Sequence, residues 1–109
     1  MNYLKNIDNN VVTLKELVNV KDNQILSLAL SKTDNCDLRL FGMAKDEEIR
    51  NEVYPMDTMY LCLEGKIKII EEDKENILDV GKAIAIPMGN KSHIIALENS
   101  KMFQIMIKE

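Results

Sequence analysis

Apolar and polar residues alternate over short stretches along most of this chain. Gln24–Ser31 (QILSLALS) and Cys36–Ala44 (CDLRLFGMA), joined by the turn-like KTDN, each read as a β-strand. A polar segment, KDEEIRNE, then leads toward Tyr54. TMYLCLEG, Thr58–Gly65, is rich in β-formers, and KIKII follows from Lys66 with hardly a break, so the two are predicted to form a tight hairpin. EEDKEN marks the next turn, after which ILDV, AIAIP, HIIAL and MFQIMI supply further short strands. Their spacing of roughly ten residues is that of an all-β sandwich or barrel.

The N-terminal stretch is of a different kind. VVTLKELV suits two helical turns or an edge strand equally, so residues 1–23 read as an extended or mixed arm and residues 24–109 as the barrel. Leu4, Val11, Val12, Leu14 and Leu17 of the arm need a surface to cover, either their own barrel or a neighbouring subunit.

A chain of 109 residues holds one domain and one core, and an apolar content of 46% places it among soluble globular chains. Its net charge of −4 argues against nucleic-acid or anionic-membrane partners, since Lys45, Lys66, Lys68, Lys82 and Lys91 are scattered and form no basic patch. No apolar run has bilayer-spanning length and the N-terminus has no signal-like pattern, which leads to the expectation of a cytoplasmic protein. Cys36 and Cys62 are too few and too far apart for a disulfide framework, and neither belongs to a CxxC pair.

From Leu38 to Ile107 the sequence resembles the cupins, small double-stranded jelly-roll barrels with two motifs, G-x5-HxH-x3,4-E-x6-G and G-x5-PxG-x2-H-x3-N. GKAIAIPMG, Gly81–Gly89, fits the start of the second motif without a gap, and LCLEG, Leu61–Gly65, resembles the end of the first. The 15 residues Lys66–Val80 between Gly65 and Gly81 match the short intermotif spacing of small bacterial cupins. The resemblance implies an all-β jelly-roll, or double-stranded β-helix, carrying an N-terminal arm. It also implies a homodimer, because related small cupins pair through terminal strands.

In a metal-binding cupin the ligands are two histidines and a carboxylate from the first motif and a histidine from the second. Here those first-motif positions hold Glu52, Tyr54 and Thr58, Asp46 replaces the opening glycine, and the second-motif position holds Ser92. The only histidine, His93, comes one residue later and points inward only if the loop GNKS absorbs the extra residue. Glu52 and His93 would then be at most two strong ligands, fewer than a typical zinc site uses, so no metal cofactor is expected. Asp57, beside Thr58, reads as a turn-capping residue.

If Thr58 faces the interior, alternation places Tyr60 and Cys62 there too. His93, Ile95 and Leu97 are inward candidates, and the last strand contributes either Met102, Gln104 and Met106 or Phe103, Ile105 and Ile107. The seven methionines suit core filling or an adaptable binding surface. The ligand-pocket candidates are therefore Glu52, Tyr54, Thr58, Tyr60, Cys62, Met88 and His93. Three functions follow: a small-molecule-binding cupin with its metal positions largely lost, a metal-dependent oxygenase or isomerase using Glu52 and His93, and a regulatory or structural dimeric partner.

Overall fold

Strand alternation sets the architecture. In the computed structural model, which describes residues 1–109, a 3₁₀ turn at Leu14–Leu17 precedes the strands β1 (Ile25–Lys32), β2 (Cys36–Met43), β3 (Glu48–Val53), β4 (Asp57–Glu64), β5 (Lys66–Glu71), β6 (Lys74–Asp79), β7 (Ala83–Ile86), β8 (Lys91–Ala96) and β9 (Ser100–Ile107). They build a five-stranded sheet in the order β1-β2-β9-β4-β7 and a four-stranded sheet in the order β3-β8-β5-β6. All pairings are antiparallel. No helix is long and apolar enough to cross a membrane.

Every second side chain enters the space between the sheets. On β4 these are Thr58, Tyr60 and Cys62, while Met59 remains exposed. On β9 they are Ser100, Met102 and Gln104, so the Met102–Gln104–Met106 phase faces inward. Ile67 and Ile69 of β5 stand opposite Ala96 and Ile94 of β8, and Leu78 of β6 opposite Ile67. Together with Met43, Tyr60, Cys62, Ile86 and Met102 these residues form one buried cluster. Each large aliphatic side chain buried there contributes about 1.5–3 kcal/mol.

Two expectations are corrected here. TMYLCLEG and KIKII do not pair: β4 lies between β9 and β7, and β5 between β6 and β8. A single intervening residue is too short for a two-residue hairpin loop, and Gly65 instead turns the chain from one sheet into the other. Its φ is +80°, and a Cβ there would lie 2.3 Å from the Asn99 carbonyl oxygen and 2.4 Å from Ser100 Oγ. Ser100 Oγ accepts the Lys66 N–H at 3.1 Å, which ties this corner to the start of β9. The polar segment KDEEIRNE contains an edge strand, β3, whose Arg50, Asn51 and Val53 face solvent.

The arm lies on the outer face of its own five-stranded sheet. Ile7, Leu14, Leu17 and Val18 cover Leu30 and Leu40, with Leu26, Leu28, Leu38, Leu63 and Phe103 around them. Leu4, Val11 and Val12 stay exposed. The Lys5 N–H donates to the Leu30 carbonyl at 2.8 Å, Asn6 Nδ2 to that of Ala29 at 2.7 Å, and Lys101 Nζ to that of Lys15 at 2.8 Å.

Gly42 lets the arm approach, because a Cβ on it would sit 2.0 Å from the Asn19 carbonyl oxygen. Gly42→Ala should lift the arm, speed amide exchange from Leu14 to Val20, and lower the unfolding free energy by about 1–3 kcal/mol while the far-UV spectrum keeps its β signature. Exchange rates equal to wild type across that segment would contradict this packing.

Candidate functional site

An irregularity in β3 decides which side chains enter the barrel near its open end. Ile49 pairs with Ile94, yet Glu52 pairs with Ser92, so β3 carries one extra residue between these pairs. Asn51 takes a left-handed φ of 51° within this β-bulge. The bulge puts Glu52 on the same face as Ser92, and Tyr54 follows two residues on. Asp46, at the position of the missing motif glycine, also adopts a left-handed φ, 73°.

The loop before β8 absorbs no extra residue, so Ser92 keeps the inward motif position. Ser92, Ile94 and Ala96 are buried, and His93 and Ile95 lie on the opposite face. The expectation that His93, Ile95 and Leu97 point inward is therefore corrected. His93 Nε2 lies 2.9 Å from Glu48 Oε1, on the outside of the four-stranded sheet, and Arg50 bonds the other Glu48 oxygen. The bond from His93 and the charge of Arg50 hold the Glu48 carboxyl below its ordinary range despite partial desolvation. Glu52 and His93, on opposite faces, do not form a pair.

Inside, neutral hydrogen-bonding groups converge. Gln104 Nε2 donates to Tyr60 Oη at 3.0 Å, and both side chains are buried. Burial, followed by the charge that Tyr54 would carry on ionising, pushes the Tyr60 hydroxyl far up, against the opposing pull of Gln104 and Ser92. Burial and the Glu52 charge raise Tyr54 in the same direction. Both phenols are protonated at neutral pH and serve as hydrogen-bonding groups. The Thr58 hydroxyl is directed to the Met56 carbonyl at 3.5 Å.

Beyond Gln104 the interior opens into a cavity of about 430 Å³. Lys32, Asp37, Arg39 and Phe41 line one side, and Tyr54, Pro55, Met56, Gln104 and Met106 the remainder. Asp37 is buried and takes Lys32 Nζ at 3.2 Å, Arg39 Nε at 3.3 Å and Arg39 Nη2 at 3.4 Å. Burial alone would raise its carboxyl; the bonds and charges of Arg39 and Lys32 outweigh it and leave the group below its ordinary value of 3.8.

Of the seven pocket candidates, Tyr54 lines this cavity, Tyr60 supports it through Gln104, and Glu52 acts on Tyr54 through its charge. Thr58 turns inward without joining the lining, and Cys62 is sealed in the core with its thiol pushed up by burial. Met88 is 61% exposed in the β7–β8 loop, where its N–H donates to Asp57 Oδ1 at 2.8 Å, so it is not a pocket residue. Lys32, Asp37, Arg39, Phe41 and Gln104 were not singled out as site residues from the sequence. The available signal was the polar pair Asp37 and Arg39, spaced to share a strand face with Phe41.

Two antiparallel sheets closed around a core, with a cavity at one end, define a jelly-roll barrel of the cupin class. A cupin superfamily protein from Desulfitobacterium hafniense is 31% identical, superposes with a TM-score of 0.92, and matches over 97% of this chain and 98% of its own. The chain belongs to the cupin superfamily. A conserved protein of unknown function from Streptococcus pyogenes is similar at 26% identity and a TM-score of 0.96, over 100% of this chain and 96% of that one. A cupin 2 conserved barrel domain protein from Leptotrichia buccalis shares 25% identity at a TM-score of 0.90, over 97% of this chain and 51% of that one. No protein-family model matches the sequence, and no curated protein matches it.

The depressed Asp37 carboxyl makes the cavity wall sensitive to acid. Its stabilising contribution is complete above the unfolded carboxyl's pKa, near 4, and is lost as pH falls through the lower folded value. Asp37→Asn should cost about 1–2 kcal/mol at pH 7. In urea titrations at stepped pH the gap from wild type should hold down to about pH 4 and narrow below it. A gap that is constant down to pH 2 would rule out the ion pair as its source.

Proposed function

We propose that this cupin binds a small molecule in the cavity beside Tyr54 and Gln104, without a resident metal, and that it works as a homodimer. The cavity carries the binding proposal: its volume lies within the range of ligand sites, and it joins apolar walls to a few convergent polar groups. The metal-free reading rests on the donor set. Glu52 is the one carboxylate among Glu52, Tyr54, Thr58 and Ser92, and these residues do not fit a divalent ion that needs three strong ligands. No three His, Cys, Asp or Glu side chains converge anywhere in the fold.

The enzyme reading with Glu52 and His93 is the weaker one, since their side chains leave β3 and β8 on opposite faces. A regulatory or structural partner role would share the dimer but leave the cavity without a use. Support for the dimer comes from the outer face of β4, β9 and β7, the part of the sheet that the arm leaves bare. Met59, Ala85, Ile105 and Ile107 form an apolar groove there, with Asp57, Lys108 and Glu109 at its rim. A twofold axis can set such a rim of both signs against itself.

Elemental analysis of protein purified without chelator should give metal well below one equivalent and unchanged by Glu52→Ala. A fragment screen by thermal unfolding should find ligands that, at ten times their Kd, raise Tm by roughly 5–10 °C, a rise abolished by the cavity-filling Met106→Trp. Near-stoichiometric metal that Glu52→Ala removes would replace this reading with the metal-enzyme one.

Sedimentation equilibrium should give twice the chain mass for wild type and a monomer for the Met59→Glu/Ile107→Glu double variant. A monomeric wild type at micromolar concentration would remove the dimer from the proposal.

A further inference from the structure

The cavity has a charged end and an apolar end. Lys32 and Asp37 are cross-strand neighbours on β1 and β2, and Arg39 follows on the same face opposite Gln104. Two cations therefore share one carboxylate among the lining residues, which leaves one positive charge in excess. Asp37 is already engaged by three nitrogens. Of the five N–H groups on a guanidinium, its bonds with Arg39 use two, and the remaining three have no acceptor in the protein. The Arg39 side chain is 27% exposed, so these donors face water in the cavity.

Glu52 makes no ion pair with either cation, and its charge is felt on the Tyr54 side. An anion is accordingly favoured at Arg39 and Lys32 and disfavoured near Glu52. From Arg39 the lining passes to Phe41 on the same strand face, and Met106 and Met56 complete an apolar surface whose thioethers adapt to a ligand's shape. Gln104 spends one amide hydrogen on Tyr60 and lies within hydrogen-bonding reach of Tyr54, so its amide belongs to the polar wall of the cavity.

Resting on the cavity reading above, we propose that the ligand is a small monocarboxylate, its carboxylate held in the fork of Arg39 with help from Lys32 and its apolar body laid against Phe41, Met56 and Met106. The planar guanidinium fork matches a carboxylate in two parallel hydrogen bonds. A single excess charge suits a monoanion better than a phosphate dianion, and a cationic ligand would have to compete with Lys32 and Arg39 for Asp37.

The test uses methionine-methyl NMR on the full chain, with benzoate, 3-phenylpropionate and hexanoate against their primary amides and the corresponding amines. The carboxylates should shift the Met56 and Met106 methyl signals saturably, at least tenfold more tightly than the amides, with the amines showing no saturable shift. Arg39→Gln should weaken the carboxylates tenfold or more and leave the amides unchanged, and Lys32→Gln should weaken them less. Where Arg39→Gln alone compromises folding, Arg39→Gln/Asp37→Asn removes the pair together and should give the same loss.

Amides that bind as tightly as carboxylates, indifferent to Arg39→Gln, would overturn the anion assignment and leave the cavity reading standing. No shift of either methyl by any of the nine probes would overturn both.

Discussion

The register of β8 is the constraint on which the rest of the site depends. Ile94 and Ala96 are buried against Ile69 and Ile67, and a slip of one residue would turn both to solvent and bring His93 and Ile95 inside. Exposing Ile94 would forfeit about 1.5–3 kcal/mol, and His93 would give up its bond to Glu48 for a place beside the aliphatic core. Once β8 is fixed, β3 must accommodate it. The bulge around Asn51 does so, and through it Glu52 and Tyr54 arrive on the interior face. A hydrophobic requirement at one end of the strand thus selects the polar groups at the other.

Eight of the nine strands were legible as runs of β-forming residues between Gly, Asn and Asp turns, and Thr58, Tyr60 and Cys62 follow the expected alternation. What escaped has physical causes. β3 is an edge strand with solvated side chains, so its composition resembles that of a loop. β6 begins at Lys74, inside EEDKEN, for a similar reason. The corner at Gly65 looks like a hairpin because pairing partners are tertiary information, and only the packing of Asn99 and Ser100 against Gly65 reveals the change of sheet.

The candidate site was legible in part for the same reasons. A family motif indicates positions but does not say whether the loop before β8 absorbs an extra residue, and that question decided the fate of His93. Both faces of β2 are covered, one by the arm and one by the core, so periodicity could not identify Asp37 and Arg39 as inward residues. Met88 sits next to a motif glycine, yet the loop that carries it faces solvent.

The distribution of bulk explains why the cavity lies where it does. Tyr60, Met43, Met102 and the facing isoleucines fill one end of the barrel, and the Tyr60–Gln104 bond closes that filling on its polar side. Past this boundary the β1, β2 and β9 wall carries Lys32, Asp37, Arg39 and Gln104 beside Phe41 and Met106, and its charged and polar ends do not pack to aliphatic density. Every buried side-chain nitrogen and oxygen nevertheless has a partner. The cluster of Tyr54, Tyr60, Gln104 and Ser92 is built from neutral groups, with both phenols protonated, so its polarity is compensated internally. Converging imidazoles and carboxylates would call for a cation at this place. Hydroxyls and an amide do not, and the one positive charge in excess lies on the neighbouring wall, where Lys32 and Arg39 share Asp37.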